Sequence, residues 1–551
     1  MVLEASDGLG SSISGLGDLN GDLVADALVG SAKDDDGGFD RGAVYVIFLS
    51  SRGAAISFQK ISALYGSFTA VLDDSDYFGV ALAVVDDVNS DSIADILIGA
   101  SGDDDGGSDR GAVYVVFLAT HGRVQSFQKL SSAAGGFTSS LDDYDSFGSS
   151  VGSGLADLNG DAVPDILVGS PGDDDGGVLT ESGGACFVVF LQSNGRVLSF
   201  QKISRSSGYF TASLSDTSSS GNQFGYNFGQ AVSGLQNVDA SAAGAIVGAN
   251  YADLGSTNRG VAFVLFLFTT GVVQSFQKLG ANLGGFTGTI DSSDFFGCSV
   301  AGLGDQDRDS FPDVAVGACG DDDGGTDCGA VYLIFLYTNG FAKRFLKLSS
   351  RGSSGFTGLL DSRDAFGAAI SGLLDMNGDS TPELLVGSPQ DDDGSFDAGA
   401  VYIVFLGFYC FNRAPSGVGY SSYCSTVVAS PGDSCTQLCT EGYADNNQGA
   451  GQSYTCAGEA FIGTLLTCAA SACLATQVPF SNYAAQGSIT GTTGQSRTVT
   501  CDSGFSGGGT VVCGSDGYFS NVICAGNWCC TVLFVSRVQL LCSHSHSRCC
   551  F

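Results

Sequence analysis

The chain has 551 residues, enough for more than one hydrophobic core; with 82 glycines against 8 prolines and 44% hydrophobic residues it is turn-rich yet too apolar for disorder. A formal charge of −36 at pH 7 excludes nucleic acids and anionic membranes as partners, because their phosphates repel such a surface. No run reaches the ~18 consecutive apolar residues of a membrane helix, and the longest, VAFVLFLF at 261–268, is strand-sized.

The N-terminus, MVLEASDGLGSS, has neither the basic nor the apolar region of a signal peptide. Either export uses something absent from this chain, or the chain is a fragment. The first motif follows at Asp18: DLNGDLVAD, three aspartates and an asparagine leading into an apolar run. It recurs as DVNSDSIAD (87–95), DLNGDAVPD (157–165), DQDRDSFPD (305–313) and DMNGDSTPE (375–383), at intervals of 69, 70, 148 and 70 residues. The double interval hides a decayed copy, NVDASAAGAIVGA from Asn237, which has lost most of its acids. Six units of about 70 residues predict a propeller or solenoid.

Residues 78–130 show the order within a unit: FGVALAVV, the acidic nonamer, ILIGAS, GDDDGGSDR, GAVYVVFL, the turn ATHG and RVQSFQKL. The apolar runs are short, β-branched or aromatic, and bounded by Gly and Asp, which predicts strands. Their continuous apolarity puts both faces in contact with neighbours, the condition of a propeller blade. No segment carries a 3.6-residue period, so no helix is predicted. In an up-and-down blade the nonamers share one rim with turns such as ATHG. The DDDGG loops share the other with LDDSD (72–76) and LDDYD (141–145).

The nonamer reads as a set of metal ligands. Asp18, Asn20, Asp22 and Asp26 offer side-chain oxygens, and Val24 its backbone carbonyl. The same positions are Asp87, Asn89, Asp91, Ile93 and Asp95, then Asp157, Asn159, Asp161, Val163 and Asp165. They recur as Asp305, Asp307, Asp309, Phe311 and Asp313, and as Asp375, Asn377, Asp379, Thr381 and Glu383. An all-oxygen set without His or Cys suits a hard cation. Alternate ligands closed by a carboxylate give the roughly 6–8 oxygens of Ca2+ rather than the water-rich shell of magnesium. Gly21, Gly160 and Gly378 let the loop turn sharply. About five Ca2+ ions are expected, with the fourth unit lacking a site and Glu383 making the sixth unit's loop the odd one. Three or four carboxylates so close together repel one another, so the ion is expected to stabilise the fold.

Phe-Gly opens the unit and Gly-Ala/Ser-Pro closes the second strand in Phe147-Gly148 with Gly169-Ser170-Pro171 and in Phe366-Gly367 with Gly387-Ser388-Pro389. With the nonamer in register, this resembles the FG-GAP repeat of the integrin α-subunit β-propeller over residues 5–406. That family's propeller has seven blades, whereas six are counted here. The first unit lacks the upstream FTxxLD segment and the sixth the SFQK strand. The ring could close with six blades by pairing the chain ends, or an N-terminal blade could be missing. The resemblance implies structural calcium in the nonamer loops. It also implies a rim that faces a partner subunit and ligand.

The DDDGG loops, from Asp34, Asp103, Asp173, Asp321 and Asp391, are polar turns or a ring of carboxylates able to hold further cations or a cationic partner. Cys319 and Cys328 flank the fifth of them and could be bridged, while Cys186 and Cys298 are expected to be buried thiols. Fifteen of the 19 cysteines lie from Cys410 onward, a disulfide framework that points to an oxidising, extracellular or cell-surface setting. Residues 471–526 carry Cys473, Cys501, Cys513 and Cys524 and are similar to a sushi (complement control) module, although the family's tryptophan before the last cysteine is missing. The resemblance implies pairing of first with third and second with fourth. Residues 407–470, with Cys424, Cys439, Cys456 and Cys468, resemble a looser copy, leaving Cys410 and Cys435 as an extra pair. The cysteines and histidines of the tail, 527–551, match no standard zinc spacing, and the tail stays unassigned.

The sequence therefore predicts an all-β protein: a propeller of six blades, or seven if one is missing, over 1–406, followed by small disulfide-rich β modules. No nucleophile–base constellation is visible, and His121, the one histidine outside the tail, sits in a turn. The expected function is a non-enzymatic, calcium-binding adhesion protein presenting a rim to a protein or glycan. The alternatives are an accessory domain of a larger secreted hydrolase or a calcium-rich matrix protein.

Overall fold

The computed structural model describes residues 7–526 apart from 156, 175–182, 213–225, 240–241, 254–255, 308, 351–355, 357, 377–380, 394–395, 407–433, 440–442, 446–451, 458–459 and 463–467. Asn377, Asp379, Cys410, Cys424 and the tail thus lie outside the described residues. The chain divides into two compact units, Met1–Leu406 and Gly407–Phe551.

The first unit is a six-bladed β-propeller. Blade one is β1 (Leu9–Gly17), β2 (Asp26–Ser31), β3 (Ala43–Leu49) and β4 (Ala55–Ser62), hydrogen-bonded antiparallel in that order. Blade two is β5 (Ala81–Val85), β6 (Asp95–Ala100), β7 (Ala112–Leu118) and β8 (Val124–Leu130). Blade three is β9 (Ser150–Gly152), β10 (Ile166–Ser170), β11 (Ala185–Leu191) and β12 (Val197–Ser204). Blade four is β13 (Ala231–Asp239), β14 (Ala242–Ala249), β15 (Val261–Leu267) and β16 (Val273–Leu279). Blade five is β17 (Phe296–Gly304), β18 (Asp313–Ala318), β19 (Ala330–Leu336) and β20 (Ala342–Leu348). Blade six has three described strands, β21 (Ala369–Gly372), β22 (Leu384–Ser388) and β23 (Ala400–Val404). Among the described residues there is no helix.

The apolar runs lie where both faces are covered. Every residue of β2, β6, β7 and β18 is buried, whereas the fourth strands are exposed or half-buried along most of their length. Each hydrophobic cluster spans two blades: Leu28, Val44 and Ile61 of blade one meet Phe78, Leu82, Ile96 and Tyr114 of blade two. Burying such side chains is worth about 1.5–3 kcal/mol each, and this supplies most of the inter-blade cohesion.

The glycines of the repeat hold the blades together at closest approach. A Cβ on Gly99, in the Gly-Ala-Ser that ends β6, would collide with the carbonyl oxygen of Gly148, the Phe-Gly glycine of blade three. The same clash recurs from Gly30 to Gly79, Gly169 to Gly229, Gly248 to Gly297 and Gly317 to Gly367, and from Gly387 of blade six back to Gly10 of blade one. That last contact closes the ring. Leu9 N–H donates to Ala398 O at 3.1 Å, and Ile13, Val29 and Leu49 bury against Leu373, Met376 and Leu385. Closure is thus by face packing of blades six and one rather than by a composite blade.

The phenylalanine of each FT segment belongs to the blade that follows it. Phe68 stacks on Phe78 at 4.8 Å between centroids and meets the edge of Tyr114 at 5.5 Å and the ring of Phe127 at 5.0 Å. The quartet recurs as Phe137, Phe147, Phe187 and Phe200. Such pairs add about 0.5–1.5 kcal/mol beyond area burial.

In the second unit, short strands surround a small core of Val478, Ile489, Val499, Val511 and Phe519. Cys473–Cys513 and Cys501–Cys524 join first to third and second to fourth cysteine, the pattern the module resemblance implied, and Cys439–Cys468 forms a third bridge.

Candidate functional site

Each nonamer forms the loop from the first to the second strand of a blade. In blade one Asp18 Oδ1 accepts the N–H of Gly21 (2.7 Å) and Asp22 (3.0 Å), and Oδ2 that of Leu23 (2.7 Å). Asn20 Oδ1 accepts from Asp22 N–H and Asp22 Oδ1 from Val24 N–H, both at 2.9 Å. Alternate side chains therefore fold back over one coil of backbone. Blades two, three and five repeat this through Asp87, Asp157 and Asp305.

The last residue of the nonamer is different, being the first inward side chain of the second strand. Asp26, Asp95, Asp165, Asp313 and Glu383 are all at most 1% exposed. Each accepts the N–H of the residue in position two: Leu19, Val88, Leu158, Gln306 and Met376, at 2.6 to 3.1 Å. Burial pushes Asp95, Asp165 and Asp313 up to about 7, and carboxylates of their own loops add to the rise for Asp95 (Asp91 and Asp87) and Asp313 (Asp307 and Asp309). Asp26 moves the same way. Asp95 Oδ1 is buried without a hydrogen-bond partner. A carboxylate held this dry beside others favours a cation next to it, which would keep it ionised. The donor set, all oxygen with one buried carboxylate at its base, fits Ca2+.

Blade five departs from the others. Carboxylate oxygens of Asp305, Asp307 and Asp313 lie within 4.8 Å of one another. Position three is aspartate here, where the other loops have asparagine. Lys343 Nζ stands 2.8 Å from Asp307 Oδ2 and 3.0 Å from Asp309 Oδ2, and Arg344 Nη2 stands 2.8 Å from Asp307 Oδ2. This loop therefore carries its own countercharge. Of the remaining expected ligands, Val24, Ile93, Val163 and Phe311 occupy position seven, and Asp375 and Thr381 flank the part of loop six outside the described residues. In blade four Asp239 pairs with Ala242 across the first two strands.

Position six carries a feature the sequence did not reveal. Leu23, Ser92, Ala162 and Ser310 all have φ of 68–72°, the left-handed region that costs a non-glycine residue about 1–2 kcal/mol. Leu23 is also 93% exposed. The coil is maintained against local preference, a mark of a functional loop.

The two rims separate as chain order requires. Lys343, at the start of β20, touches the nonamer, and Lys347, four residues on, touches the DDDGG loop at the other end. That second rim is not an open ring of carboxylates. Lys60 bridges Asp34 and Asp36 (2.7 and 2.6 Å), Lys129 bridges Asp103 and Asp105 (2.6 and 2.8 Å), and Lys202 pairs with Asp173 (2.7 Å). In blade six Asp391 accepts from Tyr402 Oη at 3.0 Å. Beneath these loops Asp76 and Asp145 are buried and lifted to about 7, and Asp294 and Asp364 to about 6, by burial first and then by Asp103, Asp173, Asp321 and Asp391 respectively.

The expected Cys319–Cys328 bridge is not made. Cys319 N–H donates to Cys298 Sγ at 3.1 Å, and Cys328 is buried with Sγ facing Leu360 O. Cys298, expected to be buried, is only half-buried; Cys186 is fully enclosed. The hairpin register, with Phe296 opposite Ala318, brings Cys298 and Cys319 together across 21 residues.

The FG-GAP repeat family matches residues 78–116 and 366–404, and a second FG-GAP repeat model matches 290–335. Integrin alpha-7 of Homo sapiens is 39% identical over 104 residues, 19% of this chain and 8% of that protein. Integrin alpha-3 of Mus musculus is 32% identical over 169 residues, 30% of this chain and 14% of that protein. The chain thus spans a small part of the length of these relatives. A solved structure, BBS1N in complex with ARL6DN soaked with lead, aligns at TM-score 0.32 and 10% identity over 84% of this chain and 93% of that one, too weak a likeness to bear on function. Blades two, five and six thus carry FG-GAP repeats, and integrin α-subunits are among the homologues of this chain over part of its length.

Proposed function

We propose that the protein is a non-enzymatic extracellular adhesion-type binding protein whose propeller is held by Ca2+ in the nonamer loops. The observation that carries this reading is the carboxylate of position nine, buried in all five loops among further carboxylates. In blades one, two and three no basic side chain among the described residues is seen to neutralise the loop. These loops are the strong sites, with Asp95 and its equivalents at the base and the side chains of positions one, three and five above. Loop five, already countered by Lys343 and Arg344, is the weakest of the five.

Support for adhesion comes from the integrin α-subunit homologues. By that likeness the partner is a protein or glycan at a propeller rim, and a second subunit is a further candidate. Disulfides fit an extracellular or cell-surface place. In the described residues no helix is long and apolar enough to cross a membrane. The cysteine-rich regions 407–470 and 471–526 are sushi-like spacer modules in this reading. Calorimetric titration of the full chain with Ca2+, alongside melting curves with and without chelator, tests the metal. The expected result is about five ions, the one at loop five the weakest of the described sites, with a large loss of Tm in chelator. Identical melting in both buffers, with no heat on titration, overturns it. Binding of the labelled chain to protein and glycan arrays with and without Ca2+ tests the adhesive role.

A further inference from the structure

We propose that Cys298 and Cys319 form a disulfide that staples the first two strands of blade five. The inference rests on the extracellular reading above and on four observations. The residues hold equivalent places in the blades: one follows the Phe-Gly pair (Leu9-Gly10 in blade one), the other follows the Gly-Ala or Gly-Ser that ends the second strand. In blade one these places are Ser11 and Ala32, and Ala32 N–H donates to Ser11 Oγ at 3.3 Å. Blade five makes the same bond in sulfur, from Cys319 N–H to Cys298 Sγ at 3.1 Å, so the scaffold already brings the two positions into contact. Third, both cysteines are half-exposed, unlike buried Cys186 and Cys328, and Cys298 lines the recess where the first strands of the blades converge. Fourth, the described residues of the second unit include three disulfides, so the chain matures where thiols are oxidised.

The step is thiol–disulfide exchange with a low-molecular-weight disulfide. One cysteine thiolate attacks that disulfide, forming a mixed disulfide and releasing one thiol. The other cysteine thiolate then displaces the second thiol and closes the S–S bond. Two protons leave the protein, and its two electrons reduce the external disulfide to two thiols. The covalent loop encloses residues 298–319 and therefore the whole nonamer Asp305–Asp313. Blade five, whose loop brings its own cations and holds Ca2+ least, would thus be fastened by a bond that chelation cannot remove.

Peptide mapping of the full chain secreted from animal cells tests this. The protein is denatured with an alkylating agent and no reductant, then digested and weighed. Peptides bearing Cys298 and Cys319 should appear joined, lighter by two hydrogens than their sum, and separate on reduction, with Cys186 alkylated. Both peptides alkylated while Cys473–Cys513 is joined overturns the staple and leaves the extracellular reading standing. Cys473 and Cys513 alkylated as well overturns both, and Cys319 found joined to Cys328 overturns the staple. C298S keeps an acceptor for Cys319 N–H, as Ser11 does in blade one, and should fold. Its Tm in chelator should fall several degrees below that of the parent chain, and an unchanged Tm overturns the stapling role.

Discussion

Asp95→Asn should raise stability in chelator and lower it in calcium. Asp95 is fully buried, with Oδ2 accepting from Val88 N–H at 3.0 Å and Oδ1 unpartnered, and Asp91 and Asp87 repel it. Burial lifts its pKa to about 7, and each tenfold change in proton affinity corresponds to about 1.4 kcal/mol. Discounted for the water that reaches the exposed part of the loop, removing the charge should gain about 1–2 kcal/mol at pH 8. Asparagine keeps the Val88 bond through its carbonyl oxygen. In calcium the same change removes the ligand at the base of the site. The stabilisation lost is that of one ion, about 4 kcal/mol at a thousandfold excess over Kd. Melting curves of parent and variant in EDTA and in millimolar Ca2+ give the four numbers needed. The two curves should cross in order between buffers, and titration should show one strong ion fewer. A variant less stable by the same amount in both buffers refutes the reasoning, because the buried charge would then neither cost stability in chelator nor hold an ion in calcium.

Replacing both Lys343 and Arg344 by glutamine should tighten Ca2+ at loop five, turning the weak site into one like its neighbours, as read by titration. Gly387→Ala drives a Cβ into the Gly10 carbonyl at the ring closure and should cost about 1–3 kcal/mol by melting. Gly372→Ala meets only ordinary van der Waals contacts and should stay within ~0.5 kcal/mol. With Ca2+ saturating, stability should fall as pH rises from about 4 to 7. The buried Asp76 and Asp145, raised to about 7, keep their protons in the folded chain in that range, whereas the unfolded chain releases them near 4. Denaturant midpoints across pH check the sign.

The sequence made the blade order legible because the apolar runs of a twice-covered strand are continuous and recur at a fixed interval. The nonamers were legible for a similar reason: acids at alternate positions have few structural uses. Two parts were hidden. The left-handed position six is occupied by Leu23, Ser92, Ala162 and Ser310, which share no chemistry, since the coil imposes the angle. Cys319 looks nearer to Cys328 in sequence, and only the hairpin register turns it toward Cys298. The lysine bridges do leave a signal in the chain: Asp34 to Lys60, Asp103 to Lys129 and Asp321 to Lys347 are all 26 residues apart.

Neighbouring blades meet at their tightest points through naked main chain, glycine against glycine carbonyl, all the way round. The circumference is thereby fixed by peptide dimensions, which no substitution elsewhere can alter. Loops at either end can be lengthened or recharged while the hoop keeps its diameter. Such a chassis lets new recognition surfaces arise without renegotiating the architecture beneath them.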